Sequence, residues 1–333
     1  MNKNPFIFGK PVGKGDFYNR REEIEAAIGF IKRLQSFSVI GERRIGKTSF
    51  LKNILSREVL QAYGIDIETH VVACLGLSSF HKISKESLIS TIAKRIAEQT
   101  HIETNSANIF DEFKTCIKNL ASNGKNLIIA LDEFEVIAPI LVDNFSHWLR
   151  FIFQEENVVA ITASQTTVRE LEISGGAASP LFNIFGNIFL GLFGRSETEN
   201  MILEMFQKGG IGLEEEENTF LADLSGGNPY LIQLLGYYGY EEKKRSRGII
   251  PEKFKESMVF HTNDQFESCW RHLTKDEKKF LVHAEKSKNN QISNILERKG
   301  IICVKKGKIE IFSPLFRKFI DIKVKTDRDL LFV

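Results

Sequence analysis

The 333-residue chain carries 45 Lys and Arg against 43 Asp and Glu, a formal net charge of +2, with 42% hydrophobic and 26% charged residues. That composition excludes intrinsic disorder, a fibrous repeat and whole-surface attraction to nucleic acid or anionic lipid, and the length allows two or three units with separate cores. The four scattered cysteines, Cys74, Cys116, Cys269 and Cys303, form no C-x-x-C pair, which argues against a zinc site or a disulfide framework. The N-terminus MNKNPFIFGKPVGKGDF has no signal-peptide apolar stretch, and no run of about 18 apolar residues occurs. A soluble cytoplasmic protein with no membrane partner is expected.

In chain order, Phe37–Ile40 reads as a short buried strand, followed at once by GERRIGKTS and then by the helical pattern SFLKNILSREVL. Further apolar runs at 71–77, 127–131, 158–161 and 188–190 alternate with helical stretches at 86–99 and 109–120. This alternation predicts a parallel sheet with helices on both faces. After Gly194 the period becomes helical throughout, with Gly and Pro punctuation, and predicts a helical domain over 195–262. From Asp264 the pattern gives helices near 266–273, 276–286 and 291–299, then IICVKKGKIEIF, two strands around a Lys306-Gly307 turn. Three helices and a hairpin predict a winged helix over 263–333. The expected fold is α/β, a parallel-sheet core over 1–194 with a helical lid domain and a C-terminal winged-helix domain.

Residues Gly41, Glu42, Arg43, Arg44, Ile45, Gly46, Lys47 and Thr48 fit G-x-x-x-x-G-K-[ST]. Glycines in such a loop let backbone N–H groups curl round phosphates at a helix N-terminus, the lysine reaches the β and γ phosphates, and the hydroxyl ligates Mg²⁺. Gly41, Arg44, Ile45, Gly46, Lys47, Thr48 and Ser49 are therefore the expected ATP contacts. Arg43 and Arg44 bring fixed charge into the loop for phosphate or for a neighbouring acidic strand end, with Arg44 favoured.

The apolar run 127–131 ends in Asp132 and Glu133, where the ligand crevice of a parallel sheet opens. Asp132 is expected to hold Mg²⁺ with Thr48, and Glu133 to polarise the attacking water, so Lys47, Asp132 and Glu133 form the expected catalytic set. Ser164, at the end of the 158–164 run, is read either as a γ-phosphate sensor or as a turn former.

These residues resemble the archaeal-type ATPases of the STAND branch of AAA+-related P-loop proteins. Four landmarks carry the resemblance: Phe17-Tyr18-Asn19-Arg20 with Glu22-Glu23, GERRIGKTS, LDEFE, and SPLF at 179–182. The first is similar to an F-x-N-R-E signature, although Arg21 intervenes before Glu22. By that resemblance Asn19 and Arg20 belong to the nucleotide pocket, and Gly227-Asn228-Pro229 matches a G-x-P lid motif in which Pro229 leans on the nucleotide. A helix start with proline at its first position accounts for the same residues. No arginine closely follows SPLF; the next is Arg195.

The resemblance implies a Mg²⁺-dependent ATPase that acts as a conformational or assembly switch, consistent with a role in defence, working through a homo-oligomer or a separate effector protein. The alternative is a replication-initiator type of AAA+ ATPase docking its winged helix on duplex DNA. Residues 264–333 hold 16 Lys and Arg against 10 Asp and Glu, a net of +6, which favours phosphate contact, with Lys305, Lys306 and Lys308 on the wing. The expected recognition helix presents Asn290, Gln291, Asn294, Glu297, Arg298 and Lys299, with its positive charge at the wrong end for groove reading.

Overall fold

The computed structural model describes residues 3–100, 108–142, 144–175, 181–246, 248–284, 290–305 and 308–326. In chain order the elements are α1 (Arg21–Lys32), β1 (Phe37–Ile40), α2 (Lys47–Ile54), α3 (Arg57–Ala62), β2 (His70–Gly76), α4 (Lys85–Thr100), α5 (Ile109–Ser122), β3 (Asn126–Asp132), α6 (Asn144–Phe153), β4 (Val158–Ser164), α7 (Val168–Gly175) and β5 (Gly186–Phe189). They continue with α8 (Arg195–Lys208), α9 (Glu215–Ser225), α10 (Pro229–Ser246), α11 (Pro251–His272), α12 (Lys275–Val282), α13 (Gln291–Arg298), β6 (Ile302–Lys305), β7 (Lys308–Ile311) and α14 (Pro314–Thr326).

The chain divides into two compact units, one built from residues 12–41 and 47–190, the other from 1–11, 42–46 and 191–333. In the first, β1 to β5 form one sheet in the order β2-β3-β4-β1-β5, every neighbouring pair parallel. The strands β1 and β4 are buried at every residue, and β3 from Leu127 onward. Such continuous apolar runs are what a sheet covered on both faces requires. One polar pair interrupts them: Ser38 and Thr162, register partners on β1 and β4, share a hydrogen bond of 2.7 Å. The order places the carboxyl ends of β1, β3 and β4 on one edge, the edge at which doubly wound sheets bind ligands.

In the second unit α8, α9 and α10 pack together, and α11 packs on α14 through Phe266, whose ring lies 5.0 Å from Phe316 and 5.8 Å from Phe319. The strands β6 and β7 pair antiparallel, Ile302 opposite Ile311; the expected turn residues Lys306 and Gly307 lie outside the described residues. The first residues, expected with the sheet, join this unit instead. Asn4 Nδ2 donates to Tyr237 O (3.1 Å) and Glu241 Oε1 (2.9 Å), and Phe6 packs edge-on to Phe206.

Two helices expected on either side of 262 are one. The helix α11 runs unbroken for 22 residues, since Asn263 and Asp264 interrupt the apolar period without breaking the backbone as Gly or Pro would. The expected boundary at 262 therefore falls inside a helix. Among the described residues no helix is long and apolar enough to cross a membrane.

Candidate phosphate site

The loop opens where β1 ends. Gly41 N donates to Ser164 O at 3.2 Å, continuing the β1–β4 ladder one step past the strands. The helix α2 then starts at Lys47, so the first-turn N–H groups of α2, which have no partner inside the helix, face the carboxyl edge of the sheet. Lys47 is buried, and its Nζ donates to Gly41 O at 2.7 Å, holding a cation across the mouth of the loop.

Thr48, one residue on, donates from Oγ1 to Asp132 Oδ2 at 2.6 Å. The other Asp132 oxygen accepts from Glu133 N at 3.0 Å. Burial pushes the Asp132 carboxyl up from its ordinary value, against the opposing pull of the Thr48 hydroxyl, the Glu133 amide and the Lys47 charge. A hydroxyl and a carboxylate side by side are hard oxygen donors of the kind Mg²⁺ prefers, and a cation there would relieve the desolvated carboxylate. The donors present, the Thr48 hydroxyl and the Asp132 carboxylate, fit a Mg²⁺–nucleotide complex.

Glu133 adopts φ 58°, ψ 46°, the left-handed region, which costs a residue with a Cβ about 1–2 kcal/mol. The backbone turns sharply there into a 3-10 segment, Phe134–Ile140, which turns Glu133 off the strand line. No local pattern in residues 134–140 signals that segment. Nor does one point to Gln165, whose Nε2 donates to Glu135 Oε1 at 3.0 Å, linking the residue after β4 to the one two beyond Glu133. Ser164 itself is fully buried and donates from Oγ to Thr166 O at 2.6 Å, the turn-forming role rather than an open hydroxyl. Ser49 Oγ accepts from Val12 N at 3.1 Å.

Asn19 and Arg20 are consecutive left-handed residues, φ 59° and 67°. Arg20 is buried and donates from Nη1 to Glu23 Oε1 at 2.9 Å, while Asn19 Nδ2 is buried with no hydrogen-bond partner. The sheet unit thus gathers Gly41, Lys47, Thr48, Ser49, Asp132, Glu133 and Ser164 along one edge, and carries Asn19 and Arg20 just ahead of α1.

Arg44, Ile45, Gly46 and Pro229 belong to the other unit. Gly46 has φ +104°, and nothing lies within 4 Å of where a Cβ would stand. Arg44 is left-handed too, φ 66°, and its guanidinium lies over the ring of Tyr230, 4.3 Å from the centroid, rather than on an acidic strand end. Pro229 is the first residue of α10, behind an Asn228 whose Oδ1 accepts from Tyr230 N (3.0 Å) and Leu231 N (3.2 Å). A 530 Å³ cleft lined by Gly124, Asn126, Phe151 and Asn157 opens at the opposite, amino-terminal edge of β3 and β4 and holds none of these residues.

Residues 17–235 match the model of an ATPase domain found predominantly in Archaea, well over half of the chain. The chain belongs to this family. This ATPase matches no curated protein in sequence. Its fold is shared with the Walker-type ATPase PABY2304 of Pyrococcus abyssi, at 15% identity and TM-score 0.64, over 95% of this chain and 99% of that one. It is also similar to the ORC2 protein of Aeropyrum pernix, solved as ADPNP–ADP complexes, at 15% identity and TM-score 0.58, over 98% and 99%. The Aeropyrum pernix ORC1 protein, solved in complex with DNA, matches at 13% identity and TM-score 0.53, over 94% and 93%. The ATPase domain, the phosphate loop and the α/β fold of a P-loop protein make the chain an ATP-hydrolysing enzyme.

Proposed function

We propose that the ATPase works with Mg²⁺ as a conformational switch of the STAND type, with α8, α9 and α10 as its lid and α12, α13, α14 and the β6–β7 hairpin as a winged helix joined to it through α11. One observation carries the catalytic part of this reading, the Thr48–Asp132 hydrogen bond beside the Lys47 ammonium. A Mg²⁺ ion held there would supply positive charge to offset that of the phosphates. Thr48 and Asp132 would hold the ion. Lys47 would exchange the Gly41 carbonyl for phosphate oxygens, neutralising charge on the transferred group. Glu133, turned off the strand line by its backbone, would accept a hydrogen bond from the attacking water and orient it. Gly41, Ile45, Gly46 and Ser49 line the loop that receives the phosphates, and Asn19, with a buried amide lacking a partner, is the candidate for the base or ribose. Arg20, Ser164 and Pro229 act as supports in this reading, each engaged in or at the start of a local turn or helix.

The alternative, a replication-initiator ATPase using duplex DNA, draws support from the basic C-terminal region and from the fold shared with a protein solved on DNA. The chemistry of α13 favours the switch. Asn290 spends its Oδ1 capping Ser293 N at 3.0 Å, and Lys299 donates to Glu277 at 2.6 Å. What α13 then presents is Gln291, Asn294, Glu297, Arg298 and an Ile295 that is 40% exposed. An apolar side chain among few cations suits a protein partner or a second copy better than phosphate.

ATP turnover with Mg²⁺ and with EDTA, each with and without duplex DNA at low and physiological salt, tests both parts. Turnover that needs Mg²⁺ and ignores DNA supports the switch; stimulation by DNA that fades with salt supports the initiator reading.

A further inference from the structure

The phosphate loop carries two arginines, and both are held from outside it. Arg44 stacks on Tyr230 at 4.3 Å, and Arg43 Nη1 donates to Ser268 Oγ at 3.0 Å. The two anchors are well fixed. Tyr230 stands in the first turn of α10, its amide bound by the Asn228 cap. Ser268 is buried on α11, two residues beyond the Phe266 that packs into the rings of Phe316 and Phe319 on α14.

A loop with left-handed backbone at Arg44 and φ +104° at Gly46 gathers its N–H groups toward one concave side, a geometry that persists only when its surroundings impose it. Residues 42–46 accordingly group with the helical unit and not with the strand and helix they connect. A planar guanidinium over a tyrosine face and a guanidinium on a buried hydroxyl are directional contacts that a lysine would not reproduce.

We infer that Tyr230 and Ser268 are positioning residues for the phosphate loop, holding Arg44 and Arg43 so that occupancy of the loop is transmitted to α10 and α11. The inference rests on the ATP-binding reading of that loop. Binding must move the Lys47 ammonium off Gly41 O, at the loop's first residue, and any shift this imposes on 43 and 44 is felt at their two anchors. Coupling of this kind is reciprocal: what weakens the anchors weakens ATP, and ATP alters the helices that carry the anchors.

The test measures binding of a fluorescent ATP analogue by the full chain as wild type, Arg44→Ala, Tyr230→Leu, the double variant and Tyr230→Phe. It also measures hydrogen exchange in 229–246 and 251–272 with and without ATP, in wild type, Tyr230→Leu and Ser268→Ala. Each single loss is expected to weaken binding by about 2–30-fold, the range for one cation–π contact. The double variant should bind no more weakly than Arg44→Ala, and Tyr230→Phe should bind as wild type. ATP should change exchange in both helices of the wild type. That change should vanish from α10 in Tyr230→Leu and from α11 in Ser268→Ala, at ATP concentrations that saturate each variant. Multiplying losses in the double variant, or ATP-dependent exchange that survives both substitutions, would overturn the inference while leaving the ATP site standing. A folded wild type that binds no analogue would overturn the ATP reading and this inference together.

Discussion

Thr48 and Asp132, 84 residues apart in sequence, are joined at 2.6 Å, hydroxyl to carboxylate. The bond ties the first turn of α2 to the end of β3; it pulls the Asp132 pKa down, but burial outweighs it and the carboxyl stays above its ordinary value. A carboxyl whose pKa is higher folded than unfolded stabilises the fold most below the unfolded value. That contribution is lost as pH rises through the folded value. In nucleotide-free protein, Asp132→Asn should therefore gain stability relative to wild type as pH rises from the unfolded aspartate value, about 3.9, through the higher folded one. Urea unfolding of both proteins across that window checks this; a difference that stays flat would mean the carboxyl is not desolvated.

Lys47→Ala removes the cation that closes the loop onto Gly41 O. Wild type should gain about 2.7 kcal/mol from ATP at a hundred times its Kd, and the variant should gain nothing at the same concentration. Thermal melts with and without Mg²⁺–ATP read this directly.

Two glycines of positive φ should respond differently to alanine. Gly46 has open space round it, so Gly46→Ala should cost backbone strain alone, roughly 1–3 kcal/mol. At Gly226 (φ +57°) a Cβ would stand 1.7 Å from the Phe312 carbonyl oxygen, and Gly226→Ala should cost more than about 3 kcal/mol. Denaturant titration of the two variants should rank them in that order.

Ser38 and Thr162 are buried and hydrogen-bond each other. Thr162→Val should cost about 1–3 kcal/mol because it strands a buried hydroxyl, whereas adding Ser38→Ala should recover most of that loss. Losses that simply add would mean that water or another group already serves these hydroxyls.

The phosphate loop was legible because its chemistry is local: a strand, two glycines, a lysine and a hydroxyl within a dozen residues. The β3 carboxylates were legible for a related reason, a buried apolar run ending abruptly in charge. The limits of each strand and of α4 and α5 fell within a few residues of their apolar periods. What escaped depends on contacts made by distant parts of the chain. The Asn4–Tyr237 bond spans 233 residues and the Arg43–Ser268 bond 225, so no local pattern could announce either. Tyr230 had one faint signal, its place directly after Gly227-Asn228-Pro229, but nothing in that tripeptide names the arginine above its ring. The left-handed backbone at Asn19, Arg20 and Glu133 was equally hidden, because those conformations are imposed by packing and not chosen by the residue.

The most direct test of the site assignment is a pair of numbers on Glu133→Gln: ATP affinity and single-turnover hydrolysis rate, each against wild type in Mg²⁺. The assignment predicts affinity within a few-fold of wild type and hydrolysis slowed about a hundredfold or more, as for loss of a group that orients or deprotonates water. Hydrolysis at the wild-type rate would contradict it and move the water-orienting role to another carboxylate.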